Sequence, residues 1–358
     1  MRHLEAVDAA DRTVLMVQIE NEIGLLGASR DHSGPARVAF AGAVPDRVLE
    51  AFRRSGRLPR ELTEPPAWAA LPLPELDVDE LVMACGYASH VERLAAAGRR
   101  VSAVPFFVNA WLDSTIEIDV PWLDVAGGQV PGVYPSGGPL PRVGDVWTTV
   151  ATSIDLFSPD LYFGDPEQVL RSFSSLGGGV FIPEMRRDAT GVGVIFVAAG
   201  EFDAVGTSPF GVDSADPDEL AHLADAYRLL DATTAHRFDD GGRRRRAVGF
   251  HVHDAAPVAI AELAGFRMTI ERSAPIAVDP AGQQGYGMVC EIDESTFLVV
   301  GRGFQLQFDP IDESLQCGVE SVIELAADPE LTRGRRLNGD ESASGRRVIH
   351  PPIGKPAV

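Results

Sequence analysis

Short apolar runs rich in β-branched and aromatic residues alternate with longer amphipathic stretches through the first two thirds of the chain. Each run is followed by polar, glycine or proline residues, as is typical of strands buried in a parallel sheet. The predicted strands are Val14–Asn21, Val101–Ala110, Ile154–Tyr162, Val180–Glu184 and Ala204–Asp213. The predicted helices are Val44–Ser55, Val78–Ala97, Val143–Ser153, Glu167–Leu176, Val192–Phe202 and Leu220–Thr233. This alternation predicts an α/β fold.

The pattern changes after the run Asp239–Arg246 (DDGGRRRR). Beyond it, short segments of alternating or β-branched residues predict an antiparallel β-structure. We therefore predict an α/β domain over residues 1–238, a linker over 239–246 and a β-rich domain over 247–358. Four consecutive arginines could also form a polyanion-binding patch, but in so acidic a chain a solvated hinge is favoured.

Composition excludes several classes of function. The 358 residues carry a net charge of −21, which argues against nucleic acid or an anionic membrane as partner. No apolar run approaches the ~18–20 residues of a membrane span. The three cysteines (Cys85, Cys290 and Cys317) and the histidines lack zinc-site spacing. The chain has no nucleotide-binding loop, and we expect neither metal nor cofactor. Its first residues lack the apolar core of a signal peptide, so a cytoplasmic location is expected.

Two acidic residues occupy matching positions at strand ends. Glu22 follows the first predicted strand and Glu184 closes the fourth. In a parallel α/β barrel, the edge formed by the carboxyl ends of the strands carries the active site. Two carboxyl groups at one such edge are what glycoside hydrolysis requires, one as proton donor and one as nucleophile or base. The alternative is that both are ordinary surface acids.

The segment around Glu22 resembles a family signature. Gln18–Gly24 (QIENEIG) is similar to the Q-x-E-N-E-Y-G motif of family 35 glycoside hydrolases, the β-galactosidases, which share a clan of (β/α)₈ barrels with family 42. Further similar stretches are Leu25–Ser33, Phe107–Trp111, Tyr134–Leu140, Pro159–Asp165, Phe181–Asp188, Gly301–Phe308 and Gly334–Glu341. The chain departs from the family at Ile23, where the family has Tyr, and at Arg12–Val14, where the family has Gly-Gly-Pro before the motif. The segment Ile182–Arg187 around Glu184 also differs from the family pattern. These differences concern sugar specificity more than the chemistry.

The resemblance implies roles for individual residues. Glu22 would be the general acid and base that ends barrel strand four, and Glu184 the nucleophile that ends strand seven. Two predicted strands separate them here, which gives the same offset. A retaining mechanism predicts carboxyl groups about 5–5.5 Å apart.

Four further residues are candidates for sugar contacts or for support of the carboxylates. Asn21 would donate its amide to the sugar 2-hydroxyl, or else cap the strand end. Tyr162 would hydrogen-bond Glu184, or else pack as a half-buried core residue. Asn109 and Trp111 end the next strand, and the Trp111 ring suits stacking on a pyranose, although core packing explains it nearly as well.

Taken together, these observations predict a (β/α)₈ glycosidase barrel represented by strands four to eight, followed by an antiparallel β-domain. Three strands would then be expected to precede Met1. The predicted activity is that of a retaining β-galactosidase acting on a β-galactoside or related oligosaccharide. The alternative is a non-catalytic remnant or a carbohydrate-binding protein, and a homo-oligomer is left open.

Overall fold

The computed structural model of the protein describes residues 1–60, 64–113, 128–217, 220–272, 284–326, 333–337 and 347–350. The α-helices are α1 Arg2–Asp8, α2 Gly34–Ala41, α3 Asp46–Ser55, α4 Glu75–Arg99, α5 Gly144–Val150, α6 Pro166–Ser174, α7 Ala189–Glu201 and α8 Ala221–Thr234. The strands are β1 Val17–Gln18, β2 Phe106–Ala110, β3 Leu156–Leu161, β4 Phe181–Met185, β5 Gly206–Pro209, β6 Ala247–Val252, β7 Val258–Leu263, β8 Phe266–Arg272, β9 Gly285–Glu291, β10 Phe297–Arg302, β11 Phe304–Pro310, β12 Ile323–Leu325, β13 Arg333–Arg336 and β14 Arg347–His350.

Strands β1 to β5 form a parallel sheet in chain order that curls into a half-barrel. The five predicted strands are therefore confirmed, four of them over fewer residues than predicted and β4 over five residues shifted by one. The register pairs Gln18 of β1 with Phe107 of β2, and Asn109 of β2 with Ser158 of β3. Because neighbouring parallel strands end at the same edge, this register brings residues that follow β1 and β3 close to the end of β2.

The predicted helices are also confirmed, with ends shifted by a few residues. Helix α2 was not predicted, and its start has a clear local cause. Ser33 accepts a hydrogen bond from the backbone N–H of Ala36, and Pro35 lies in the first turn. Asp165 and Asp188 cap α6 and α7 in the same way, through backbone N–H groups of the first turn.

The chain divides into two compact units, Met1–Glu184 and Met185–Val358. In the first unit β2 and β3 are buried along their whole length, and α3, α4 and α5 pack with one another. Trp147 of α5 meets Phe157 of β3 edge-to-face, with ring centroids 6.3 Å apart. Two buried strands next to one another explain why their sequences are nearly continuous apolar runs.

The second unit is built on antiparallel sheets, as predicted. Strands β10-β9-β6 form one sheet and β14-β11-β8-β7 another, and α7 packs against β6 and β9. The core between the strands is apolar and consists of Phe250, Val252, Leu263, Met268, Ile270, Val289, Phe304, Leu306 and Phe308. The domain boundary near residue 240 stays a prediction, and residues 351–358 of the predicted β-rich domain lie outside the described residues.

Residues 239–246, predicted to be a linker, form a tight turn. The backbone N–H of Asp239 donates to the carbonyl of Arg243, and Phe238 bridges to Arg244. The arginines contact protein groups. For example, Arg244 forms an ion pair with Asp203 at 2.9 Å. These charges are therefore engaged within the second unit, which weakens the polyanion interpretation.

Helix α4 carries a buried polar network. Glu80, 1% exposed, accepts the Tyr134 hydroxyl at 3.0 Å and forms an ion pair with Arg142 at 3.0 Å. Arg142 also donates to the Tyr134 hydroxyl oxygen at 2.7 Å. Burial raises the pKa of Glu80, whereas the Arg142 charge opposes that shift. No helix in the described part of the chain is both long and apolar enough to cross a membrane.

Candidate active site

Three carboxyl groups converge at the carboxyl ends of β1, β3 and β4. Glu22 follows β1, Asp160 lies near the end of β3, and Glu184 lies near the end of β4. One carboxylate oxygen of each residue lies within 4.8 Å of those of the other two. Glu22 and Glu184, far apart in sequence, are therefore brought together as the strand pattern predicted, and Asp160 joins them.

The loop that carries Glu22 is held in a strained backbone conformation. Glu20 and Glu22 have φ angles of 59° and 45°, in the left-handed region that costs a non-glycine residue of order 1–3 kcal/mol. Three contacts hold it there. Gln18 Nε2 donates to the Glu20 carbonyl at 2.9 Å, and the Glu22 backbone N–H donates to Asn109 Oδ1 at 2.9 Å. His90 Nε2 lies 3.0 Å from Glu20 Oε1. Strand β1 has only two residues, because the backbone leaves the extended conformation at Glu20.

The next residues, Ile23 to Leu25, are clamped by the segment Tyr134–Leu140. Leu25 and Ser136 exchange two backbone hydrogen bonds of 3.0 and 2.9 Å. The backbones approach so closely that a Cβ built on Gly24 would lie 2.4 Å from Pro135 Cβ. The buried Glu80–Tyr134–Arg142 network anchors the start of this segment. Glu22 is thus fixed from its N-terminal side by polar contacts and from its C-terminal side by packing.

Asn109 connects the three strand ends. Its Oδ1 accepts from the Glu22 N–H and from Gln18 Nε2 at 3.1 Å, while its Nδ2 donates to Asn21 Oδ1 at 3.2 Å and to Asp160 Oδ2 at 2.8 Å. The residue is 1% exposed. The amide of Asn109 is therefore occupied by protein groups, and its predicted contact with sugar stays a prediction.

Tyr162 donates its hydroxyl to Glu184 Oε2 at 2.8 Å, the hydrogen bond that its position predicted. Burial, this hydrogen bond and the charges of Glu184, Asp160 and Glu22 raise the pKa of Tyr162 far above its usual value. The phenol therefore stays protonated and serves as a permanent donor to Glu184.

Asp160 was not selected by the sequence analysis, although it lies in the quoted stretch Pro159–Asp165. It is 0% exposed, and burial together with the charges of Glu184 and Glu22 raises its pKa to about 9. A signal was present, because an acidic residue inside a buried apolar strand is rare unless it is paired. The raised pKa favours the protonated form of Asp160.

Glu22 has a raised pKa for related reasons. Burial contributes most, followed by the charge of Glu184, and hydrogen bonds with Asp160 and with Asn21 oppose the shift. Asn21 is exposed, and its Nδ2 lies 3.3 Å from Glu22 Oε2. A carboxyl group with a raised pKa is suited to act as a proton donor.

Trp111 directly follows β2 and is half-buried at the same edge of the sheet. Its indole Nε1 is buried and has no hydrogen-bond partner among the residues that the structure describes. Its role in sugar stacking stays a prediction.

The three carboxyl groups also bear on metal binding. Mg²⁺ and Ca²⁺ take six or more oxygen ligands, usually with several carboxylates among them. The predicted absence of a metal ion and of a cofactor remains a prediction.

Comparison with known proteins bears on the C-terminal part of the chain. The family model Domain of unknown function (DUF5597) matches residues 223–349. This range begins in α8 and includes the antiparallel sheets, while Glu22, Asp160 and Glu184 lie outside it. No curated protein matches the chain. The family match therefore does not include the carboxyl cluster.

Proposed function

We propose that the chain provides the catalytic carboxylates of a retaining β-glycosidase, with β-galactosides as substrates. The observation that carries this proposal is the pair of Glu22 and Glu184, whose carboxylate oxygens lie within 4.8 Å at the ends of two parallel strands. Retaining enzymes place these groups about 5–5.5 Å apart, whereas inverting enzymes need about 6.5–9.5 Å to admit a water molecule. The short spacing supports retention of configuration.

The surroundings of the two carboxyl groups support different roles for them. Glu22 is half-buried and its pKa is raised, which suits a general acid. Glu184 accepts a hydrogen bond from the hydroxyl of Tyr162 at 2.8 Å, which holds its carboxyl group in place for nucleophilic attack. Two neighbouring carboxyl groups in different environments are the usual basis for separate acid and nucleophile roles.

The reaction would proceed by two displacements. In the first, a Glu184 oxygen bonds to the anomeric carbon, the bond from that carbon to the leaving oxygen breaks, and Glu22 gives its proton to that oxygen. In the second, ionised Glu22 takes a proton from water while the water oxygen displaces Glu184 from the anomeric carbon. Asn21, whose amide is exposed beside Glu22, would contact the sugar 2-hydroxyl, and the Trp111 ring would face the pyranose.

The curled sheet supports a wider proposal about the fold. We infer that β1 to β5 correspond to strands four to eight of a (β/α)₈ barrel. Two strands, β2 and β3, lie between the strand that precedes Glu22 and the strand that contains Glu184. The same number separates the acid strand from the nucleophile strand in the clan of glycoside hydrolase families 35 and 42. Three further strands would close such a sheet.

A second candidate is sugar binding without turnover. It is favoured by the half-barrel, because strands β1 to β5 would form only part of the wall that surrounds a sugar in a closed barrel. An activated 2-deoxy-2-fluoro-β-galactoside distinguishes the two candidates, since a retaining enzyme forms a long-lived ester with this probe. The proposed enzyme is expected to be labelled on the peptide that contains Glu184, as measured by mass spectrometry of a digest. Binding of galactose in calorimetry without labelling would favour the second candidate.

The nucleophile can also be tested by rescue. Glu184→Gly should reduce hydrolysis of a chromogenic β-galactoside by about 10⁴-fold or more. Added azide should restore part of the activity and give an α-galactosyl azide, because it attacks from the face that Glu184 occupied. Glu184→Gln is the matched control, since it removes the charge but leaves no space for azide. Undiminished hydrolysis by the Glu184→Gly variant would refute the assignment.

A further inference from the structure

Asp160 is a fully buried acid that the two displacements do not use. Its Oδ2 accepts the Asn109 amide at 2.8 Å. Its Oδ1 is buried and accepts no hydrogen bond from the described residues. A buried carboxylate oxygen without a donor is costly, which raises the question of how Asp160 is satisfied.

Asp160 Oδ1 is satisfied if it carries a proton that forms a hydrogen bond to Glu22. The two carboxyl groups are within hydrogen-bonding reach of each other. Ionised carboxylates only accept hydrogen bonds, so two of them cannot bond to each other, whereas a protonated carboxyl group is a donor. Asn109 already occupies Oδ2 of Asp160, and Oδ1 is therefore the oxygen that is free to carry the proton.

We propose that Asp160 is a positioning residue that keeps its proton at neutral pH and donates it as a hydrogen bond to a carboxyl oxygen of Glu22. The effect of Asp160 on catalysis rests on the proposed function, whereas the protonation of Asp160 does not. The titratable groups that face Asp160 are Glu22 after β1, Glu184 in β4 and Tyr162 after β3. The first two are acids and the third is a neutral phenol, so these three groups supply no positive charge to stabilise an ionised Asp160.

The retained proton keeps the charge of the cluster at −1 through the reaction, whereas an ionised Asp160 would make it −2. Before the first displacement Glu184 is ionised, Glu22 is protonated and Asp160 is protonated, which gives a charge of −1. In the glycosyl ester Glu184 is neutral, Glu22 is ionised after giving its proton to the leaving group, and Asp160 is still protonated, so the charge is again −1. The hydrogen bond from Asp160 strengthens when Glu22 becomes ionised, which eases proton donation by Glu22.

The stability of Asp160→Asn tests the protonation directly. Asn has the same shape, accepts from Asn109 and carries a permanent donor. In the native protein the pKa of Asp160 is raised on folding, so the unfolded chain loses this proton near pH 4 while the folded protein keeps it to about pH 9. The native protein therefore loses stability relative to the variant as pH rises between these values. The difference in melting temperature, variant minus native, should grow steadily from pH 4 to pH 9 and then level off.

A difference that stays flat above pH 5 would show that Asp160 is ionised and would overturn the proposal. So would a rise in the melting temperature of the native protein, absent from Asp160→Asn, when Mg²⁺ or Ca²⁺ is added, because a cation would then take the place of the proton. Neither melting-temperature measurement depends on turnover, so each tests the protonation of Asp160 independently of the glycosidase assignment.

Activity tests the positioning role. Asp160→Asn should keep kcat within about 3-fold of the native value, because the donor to Glu22 is retained. Asp160→Ala should lose about 10–100-fold in kcat, because Glu22 is no longer held and small misplacements are costly. Equal losses in the two variants would contradict a role for the donor and would indicate a requirement for the carboxylate itself.

Discussion

Both units of the chain have apolar cores, but among the described residues the buried acidic and amide side chains lie in the first unit. In Met1–Glu184, acidic and amide groups such as Asp160, Glu80 and Asn109 are almost completely inaccessible to solvent and are held in hydrogen-bond networks. In Met185–Val358, the core of the antiparallel sheets is aromatic and aliphatic, with Phe250 and Phe304 in edge-to-face contact at 4.7 Å between centroids.

The buried polar groups of the first unit reduce stability unless their hydrogen bonds are kept, and those hydrogen bonds fix the positions of the side chains. An apolar core tolerates small shifts, but a buried carboxyl group must keep its partners within hydrogen-bond distance or lose several kcal/mol. The strained Glu20 and Glu22 backbone lies in the same unit as the buried acids. The first unit therefore has the features of a functional site, and the second those of a structural core.

The largest expected loss of unfolding free energy comes from breaking the Glu80–Tyr134–Arg142 network of the first unit. Arg142→Met leaves Glu80 buried without its cation, and the loss of one partner of a buried ion pair costs about 3–5 kcal/mol of unfolding free energy. Denaturant unfolding of the native and variant proteins measures this loss. Because Tyr134 begins the segment that clamps Ile23 to Leu25, hydrolysis should fall as well.

The double variant Glu80→Gln with Arg142→Met provides the control. Gln at position 80 still accepts from the Tyr134 hydroxyl but carries no charge to be stranded. It should recover more than half of the lost stability. If the double variant is as unstable as Arg142→Met alone, packing of the Arg142 side chain, and not the ion pair, stabilises this region.

A smaller effect is expected from Asn109→Ala, which removes the acceptor for the Glu22 N–H and releases the strained loop. We expect kcat to fall about 100-fold, which corresponds to about 2.7 kcal/mol, because the acid moves away from its productive position. Ser158→Ala on the neighbouring strand is the matched control. Ser158 is paired with Asn109 in the sheet register and is fully buried, but its hydroxyl has no hydrogen-bond partner in the described part of the chain.

Loss of that unsatisfied Ser158 hydroxyl should leave kcat unchanged and stability equal or slightly higher. A fall in kcat of similar size in both variants would mean that any change in this layer of the sheet disturbs the site. The specific role of the Asn109 amide would then be excluded.

Much of the fold follows from sequence periodicity, because buried parallel strands require apolar runs and the helices between them require an amphipathic face. The ends of β1 could not be predicted in this way, since the positive φ angles of Glu20 and Glu22 depend on distant partners such as Asn109 and His90. The Glu22–Glu184 pair was predictable from strand ends. Asp160 was not predicted as a site residue, because the contact among the three carboxyl groups depends on the register between neighbouring strands. The residue pattern of a single strand does not specify that register.

The smallest effect concerns an aspartate in the second unit that behaves oppositely to Asp160. Burial alone would raise the pKa of Asp225, but hydrogen bonds from Arg302, at 3.0 and 3.2 Å, and from Arg228 outweigh it, so the pKa is lowered below its usual value.

A lowered pKa stabilises the folded protein above the unfolded pKa near 4, and this stabilisation is lost as pH falls through the folded value. Native protein should therefore exceed Asp225→Asn in unfolding free energy by on the order of 1 kcal/mol at pH 7, and the difference should shrink below pH 4. Urea unfolding of both proteins at pH 7, 4 and 3 measures it. A constant difference would mean that Asp225 contributes through packing, and the proposed opposition between a proton-retaining acid in the first unit and an ion-paired acid in the second would not hold.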